Sequence, residues 1–99
     1  MTNDELVSWM EKQFSLIVDL KRSKGKIYGS DTNAFCSIDA VSLDLDMTRE
    51  DVIFTFMAKH WNVLKDNRDH LDEMIDFGER IDDLVIYLMM LKALTTKTG

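Results

Sequence analysis

Eight consecutive residues, Leu84 to Leu91 (LVIYLMML), are apolar. Wound as a helix, such a run is apolar on every face and has to be buried on every face. It is far too short for a membrane span, which needs ~20 residues, so protein must cover it. A chain of 99 residues is read as a single domain, 1–99, with one modest core. Such a core can barely enclose a helix all round. A second copy packing on Leu84, Tyr87, Leu88 and Leu91 by twofold symmetry would complete the burial; a central helix inside a monomer is the alternative. The absence of proline and the presence of only four glycines favour long helices over a turn-rich β fold. The expected fold is therefore all-α: a four-helix bundle-like domain that oligomerises through its C-terminal helix.

Local signals divide the chain. Thr2 and Glu5 stand at capping-box spacing, and Leu6, Met10, Phe14 and Ile17 recur at helical steps, which predicts an amphipathic helix over 3–22. Lys21, Arg22 and Lys24 suit the negative end of that helix, and Gly25 is a candidate C-cap. The stretch 23–33 (SKGKIYGSDTN) reads as a loop. Asp31 or Thr32 is a candidate cap for a short helix carrying Ala34, Phe35, Ile38 and Val41. Cys36, alone in the chain and set among apolar residues, reads as a buried inert thiol in a reducing compartment. After the break DLDM, Thr48 and Asp51 mark an N-cap, and Ile53, Phe56, Met57, His60 and Leu64 continue to a stop near Asp66 and Asn67. A fourth helix is predicted over 69–94. Its Leu71, Met74, Gly78, Ile81, Val85 and Leu88 follow a seven-residue repeat suited to bundle packing.

Residues 69–83 carry seven acids and one base, Arg80, while the rest of the chain holds eleven of each. The whole net charge of −6 thus lies in one segment. On a continuous helix Asp72, Asp76, Glu79 and Asp83 would share a face, with Asp82 beside it. Two or three carboxylates at that spacing suit Mg²⁺, which takes few carboxylates alongside waters and substrate phosphates. Glu79, Asp82 and Asp83 are the candidate donors. A solvated face, with Asp76 paired to Arg80, is the plain alternative. No Cys/His zinc spacing is present. His60, on the Phe56 and Leu64 face, reads as a satisfied core or boundary histidine rather than a catalytic one.

Lys24 and Lys26 precede Tyr28, Gly29 and Ser30. Cations beside an aromatic suit a phosphate and a stacked base, and Lys59 adds a further cation. Lys24, Lys26, Tyr28 and Lys59 are the candidate nucleotide-binding residues, although the glycine loop is not a P-loop. A nucleophile elbow, a Cys/His pair and a dinucleotide fingerprint are missing from the sequence. The acidic balance argues against broad nucleic-acid binding. The acidic N-terminus lacks the basic region of a signal peptide, so the cytoplasm is the expected location.

The series Lys24, Lys26, Tyr28, Gly29, Ser30 and Asp31, then Ala34 and Phe35, then Lys59 and His60, then Glu79, Asp82 and Asp83 leading into Val85 to Leu88, resembles a small all-α domain common in bacteriophages. That nucleotide-modification-associated domain is similar to the MazG-like nucleotide pyrophosphohydrolases. The resemblance covers residues 20–94. It implies oligomers and a Mg²⁺ site made by two acid pairs, of which the second maps to Glu79 and Asp82. The first pair has no good match here: Glu5 and Glu11 point in different directions, and Asp72, Glu73 or Asp76 would have to stand in for it from the same helix as Glu79. Three functions follow as expectations. One is a bacteriophage module that binds a nucleotide or cyclic nucleotide, in nucleotide metabolism or in capturing a signal of host defence. Another is a Mg²⁺-dependent nucleotide triphosphate pyrophosphohydrolase. The third is an acidic inhibitor that mimics nucleic acid towards a basic host protein.

Overall fold

A computed structural model describes residues 1–28 and 33–96, with 25–28 described in backbone alone. The fold is all-α. Its elements are α1 (Asn3–Tyr28), α2 (Cys36–Leu45), α3 (Arg49–Asp66), a 3-10 turn (Leu71–Glu73) and α4 (Phe77–Thr95). None of the described helices is long and apolar enough to cross a membrane. The chain divides into two compact units, Met1–Cys36 and Ser37–Gly99.

The first unit is built on α1. Its start follows the expected box: the Thr2 hydroxyl oxygen accepts from the Glu5 amide at 3.1 Å and its proton goes to the Glu5 carboxylate at 3.2 Å. This satisfies one of the donors that every helix start leaves open. The helix does not stop at Gly25, as the glycine signal predicts, but continues to Tyr28. A lone glycine costs a helix only about 1 kcal/mol relative to alanine, and Lys26 to Tyr28 prolong it.

The second unit carries α2, α3 and α4. Asp31 and Thr32, the expected caps of α2, lie outside the described residues. Among the described residues Asn33 makes a local turn, its side-chain oxygen accepting from the Phe35 amide at 2.9 Å. Cys36 is exposed, contrary to the expectation of a buried thiol. It is the first residue of α2, and the helix turns Ile38 inward. The break at DLDM is a Schellman closure. Asp46 takes a left-handed φ of 52°, and the Met47 amide reaches back to the Ser42 carbonyl at 3.1 Å. A short polar side chain is among the few that tolerate this conformation. The Asp39 carboxylate then meets Arg49 at 2.7 Å, which ties α2 to the first turn of α3.

Helix α3 starts and stops where its sequence says. Thr48 is extended, and its hydroxyl oxygen accepts from the Asp51 amide at 3.1 Å. At the far end the Asn67 side chain donates to the Val63 carbonyl at 2.8 Å, and Arg68 donates to that of Lys65 at 3.1 Å. Thr48→Ala should lower the unfolding free energy by about 1 kcal/mol. Urea titration followed by circular dichroism reads this, and no change would show that Thr48 does not cap α3.

The fourth helix differs from expectation. Instead of one helix over 69–94, the backbone folds through tight turns (His70 amide to Asn67 carbonyl, 2.8 Å; Glu73 amide to His70 carbonyl, 3.0 Å) and the 3-10 turn before α4 begins at Phe77. Electrostatics supplies a reason. A continuous helix would stack Asp69, Asp72, Glu73, Asp76, Glu79 and Asp83 at repelling steps of three and four. Starting at Phe77 puts Asp76 at the N-cap and Glu79 in the first turn, where negative charge is favoured. The threonines close the other end, Thr96 donating to the Lys92 carbonyl at 2.6 Å.

The core of this unit is small: Ile38 from α2, Val52, Ile53 and Leu64 from α3, and Ile86 from α4. Helices α3 and α4 pack along each other as an antiparallel pair, since Arg80 and Asp83 reach His60 while Tyr87 reaches back to Phe56. The seven-residue repeat does not form the packed seam. Gly78, Ile81 and Leu88 are exposed, and the stripe of Asp76, Arg80, Asp83 and Tyr87 carries the contacts to α3 or leads to them. Of the candidate oligomer residues on α4, Leu88 is exposed, whereas Leu84, Tyr87 and Leu91 are half-covered within the single chain.

Candidate functional site

A network of ionisable side chains joins α3 and α4 where they cross. His60 projects from the inner face of α3, one turn after Phe56 and one before Leu64, so helical spacing carries it to the edge of the core. From α4 come Arg80, Asp83 and Tyr87, at steps of three and four. The Arg80 Nε donates to Asp76 Oδ2 at 2.8 Å, and its terminal nitrogen lies 3.3 Å from His60 Nδ1. His60 Nε2 faces Asp83 Oδ2 at 3.5 Å. The Tyr87 ring stacks on His60 with centroids 6.1 Å apart and 29° between planes, and tilts against Phe56 at 5.8 Å.

This geometry assigns the imidazole proton. A guanidinium only donates, so Nδ1 has to be the accepting nitrogen and the proton sits on Nε2, towards Asp83. Each ring nitrogen is thereby engaged, and the aromatic faces hold the ring in place. The arrangement orients His60; it matches the boundary histidine expected from its position.

The candidate metal donors are not gathered. Glu79 is exposed on the first turn of α4, Asp82 is half-covered, and Asp83 is turned to His60. Among the described residues no three His, Cys, Asp or Glu side chains come together as a metal site. Asp83 is engaged by His60, and the break before Phe77 takes Asp72 and Glu73 off the helix that bears Glu79, so the wider acidic face is lost as well. The residues present therefore do not fit a Mg²⁺ centre by themselves.

The candidate nucleotide residues fall in both units. Lys24 lies on α1, and Lys59 is exposed on α3 next to His60. The side chains of Lys26 and Tyr28 lie outside the described residues, as do Gly29 and Ser30. The Arg80–His60–Tyr87 contacts were not anticipated. The signal for them was present in the spacing of Asp76, Arg80, Asp83 and Tyr87, a mixed polar and aromatic stripe that an apolar-only search passes over. Comparison with family models, curated proteins and solved structures returned no match.

Proposed function

We propose that this chain is a nucleotide-binding helical module of a bacteriophage, acting in nucleotide metabolism or capturing a nucleotide signal of host defence. The observation that supports it is the unbroken course of α1 past Gly25 to Tyr28. That backbone sets Lys24 and Tyr28 one helical turn apart, with Lys26 between them. A cation and an aromatic this close along one helix suit a phosphate and a stacked base. Mg²⁺ enters only as a companion of the nucleotide phosphates, because Glu79, Asp82 and Asp83 do not converge.

A thermal-shift panel of nucleotides and cyclic nucleotides, run with and without Mg²⁺, tests the reading. Ligand at a hundred times its Kd adds about 2.7 kcal/mol, which raises the melting temperature of a chain this small by about 10 °C or more. The shift should vanish in the Lys24→Ala/Tyr28→Ala double variant. A panel in which nothing shifts refutes nucleotide binding. Pyrophosphate released from a triphosphate in the same wells, and lost in Glu79→Gln, would replace simple binding with the pyrophosphohydrolase reading.

A different observation supports a second reading. Asp69, Asp72 and Glu73 stay exposed on the turn before α4, where they offer a basic host protein an acidic, nucleic-acid-like surface. Such a complex should weaken steeply with salt, and a salt-indifferent complex would count against it.

A further inference from the structure

The first unit leaves an apolar face open. On α1 the residues Leu6, Val7, Trp9, Met10, Phe14, Leu16, Ile17 and Val18 spread over rather more than half of the helix circumference, interrupted by Gln13, while Asp4, Ser8, Glu11, Lys12, Ser15 and Asp19 take the rest. Trp9 is 52% exposed, Met10 54%, Phe14 46% and Leu16 61%. Helices in water draw most of their stability from packing an amphipathic face, and an exposed apolar surface of this kind is a feature of interaction sites.

Charge selects the occupant. The first two turns of α1 carry Asp4 and Glu5, with Glu11 beyond and no base before Lys12. Its last turns carry Lys21, Arg22, Lys24 and Lys26, with Asp19 the single acid. A second copy laid parallel would set acid on acid at one end and base on base at the other. Laid antiparallel, each acidic end meets a basic end, within the ~10 Å over which charges act at 0.1 M salt. The same orientation suits the apolar spacing. Val7, Met10, Phe14 and Ile17 follow steps of three, four and three, the seam of paired helices. With the twofold axis beside Lys12, Val7 lies opposite Ile17 of the second copy and Met10 opposite its Phe14.

We propose that α1 pairs antiparallel with α1 of a second copy of this chain, through the Val7, Met10, Phe14 and Ile17 face and with Asp4, which flanks that face, set against Lys21 of the second copy at both ends.

Sedimentation of the full chain at micromolar concentration tests this. The wild type should run at twice 11.5 kDa or a multiple of that pair, and Met10→Asp/Phe14→Asp as a single chain. Leu88→Asp, on the open part of α4, should leave the mass unchanged. Orientation is read by two half-swapped variants, Asp4→Lys and Lys21→Glu. Each should self-associate about tenfold or more weakly than the wild type, and an equimolar mixture should regain the paired mass, which also shows that both still fold. A wild-type monomer overturns the proposal and leaves the α1 face to the chain's own second unit or to another partner. Half-swapped chains that pair alone as tightly as the wild type overturn the orientation. Loss of the paired mass in Leu88→Asp, with Met10→Asp/Phe14→Asp unaffected, moves the interface to α4. Nucleotide-induced thermal shifts are a separate readout, so failure of one proposal leaves the other standing.

Discussion

Replacing Ile53 with alanine should remove about 2–5 kcal/mol from the unfolding free energy of the second unit, the usual cost of truncating a fully buried isoleucine. Ile53 is completely inaccessible, and beside it Val52 is almost so. Both lie in the first turns of α3. The core they share has five buried apolar side chains from three helices, so few neighbours can collapse into the space left by the removed atoms. Domain stabilities are typically 5–15 kcal/mol, and small units fall at the lower end. This one truncation therefore takes a large share of the total. Ile75→Ala is the matched control. The same side chain there stands fully in solvent between the 3-10 turn and α4, and its loss should change stability by no more than about 0.5 kcal/mol. Urea unfolding of both variants decides the matter. Equal effects would mean that the α2–α3–α4 core is not organised around Ile53.

Local chemistry was legible where it closes within a few residues. The Thr2 and Thr48 starts and the Asp66–Asn67 stop are settled by hydrogen bonds to groups three or four residues away, and sequence spacing records such bonds directly. The start of α4 was not legible in the same way. It depends on the mutual repulsion of six acids and on where Arg80 goes, and Arg80 goes to His60 on another helix. The packed seam was misplaced for a related reason. A seven-residue repeat shows that Ile81 and Leu88 share a face, but it carries no information on which neighbour that face meets. Helix α3 offers a half-polar edge at His60, so α4 turns its own half-polar stripe to it and leaves Ile81 and Leu88 outside. Cys36 illustrates the limit of composition: its neighbours in sequence are apolar, but only Ile38 points inward. Of the candidate site, the reading of His60 as a core or boundary residue agrees with its half-covered place, whereas the candidate donor Asp83 is turned to His60, a contact between helices that spacing along one helix does not record.

Arg80→Leu should destabilise the second unit by about 1–3 kcal/mol, the cost of leaving a buried or half-buried polar partner unsatisfied. The Arg80 side chain is 21% exposed and that of His60 14%, so water replaces neither cheaply. Asp76, at 44%, is recovered by solvent, and Asp76→Asn should therefore cost less than about 1 kcal/mol. Arg80→Lys should not restore the wild type. An ammonium is a point charge, whereas the guanidinium forks to Asp76 through Nε and to His60 through a terminal nitrogen. A second readout separates this network from mere packing. Nitrogen chemical shifts of the His60 ring should place its proton on Nε2 in the wild type, and Arg80→Leu should populate the other tautomer, because nothing then requires Nδ1 to accept. If Arg80→Lys proves as stable as wild type, or the wild-type proton sits on Nδ1, the forked contact does not hold His60. The crossing of α3 and α4 would then rest on Phe56, Tyr87 and the apolar core alone.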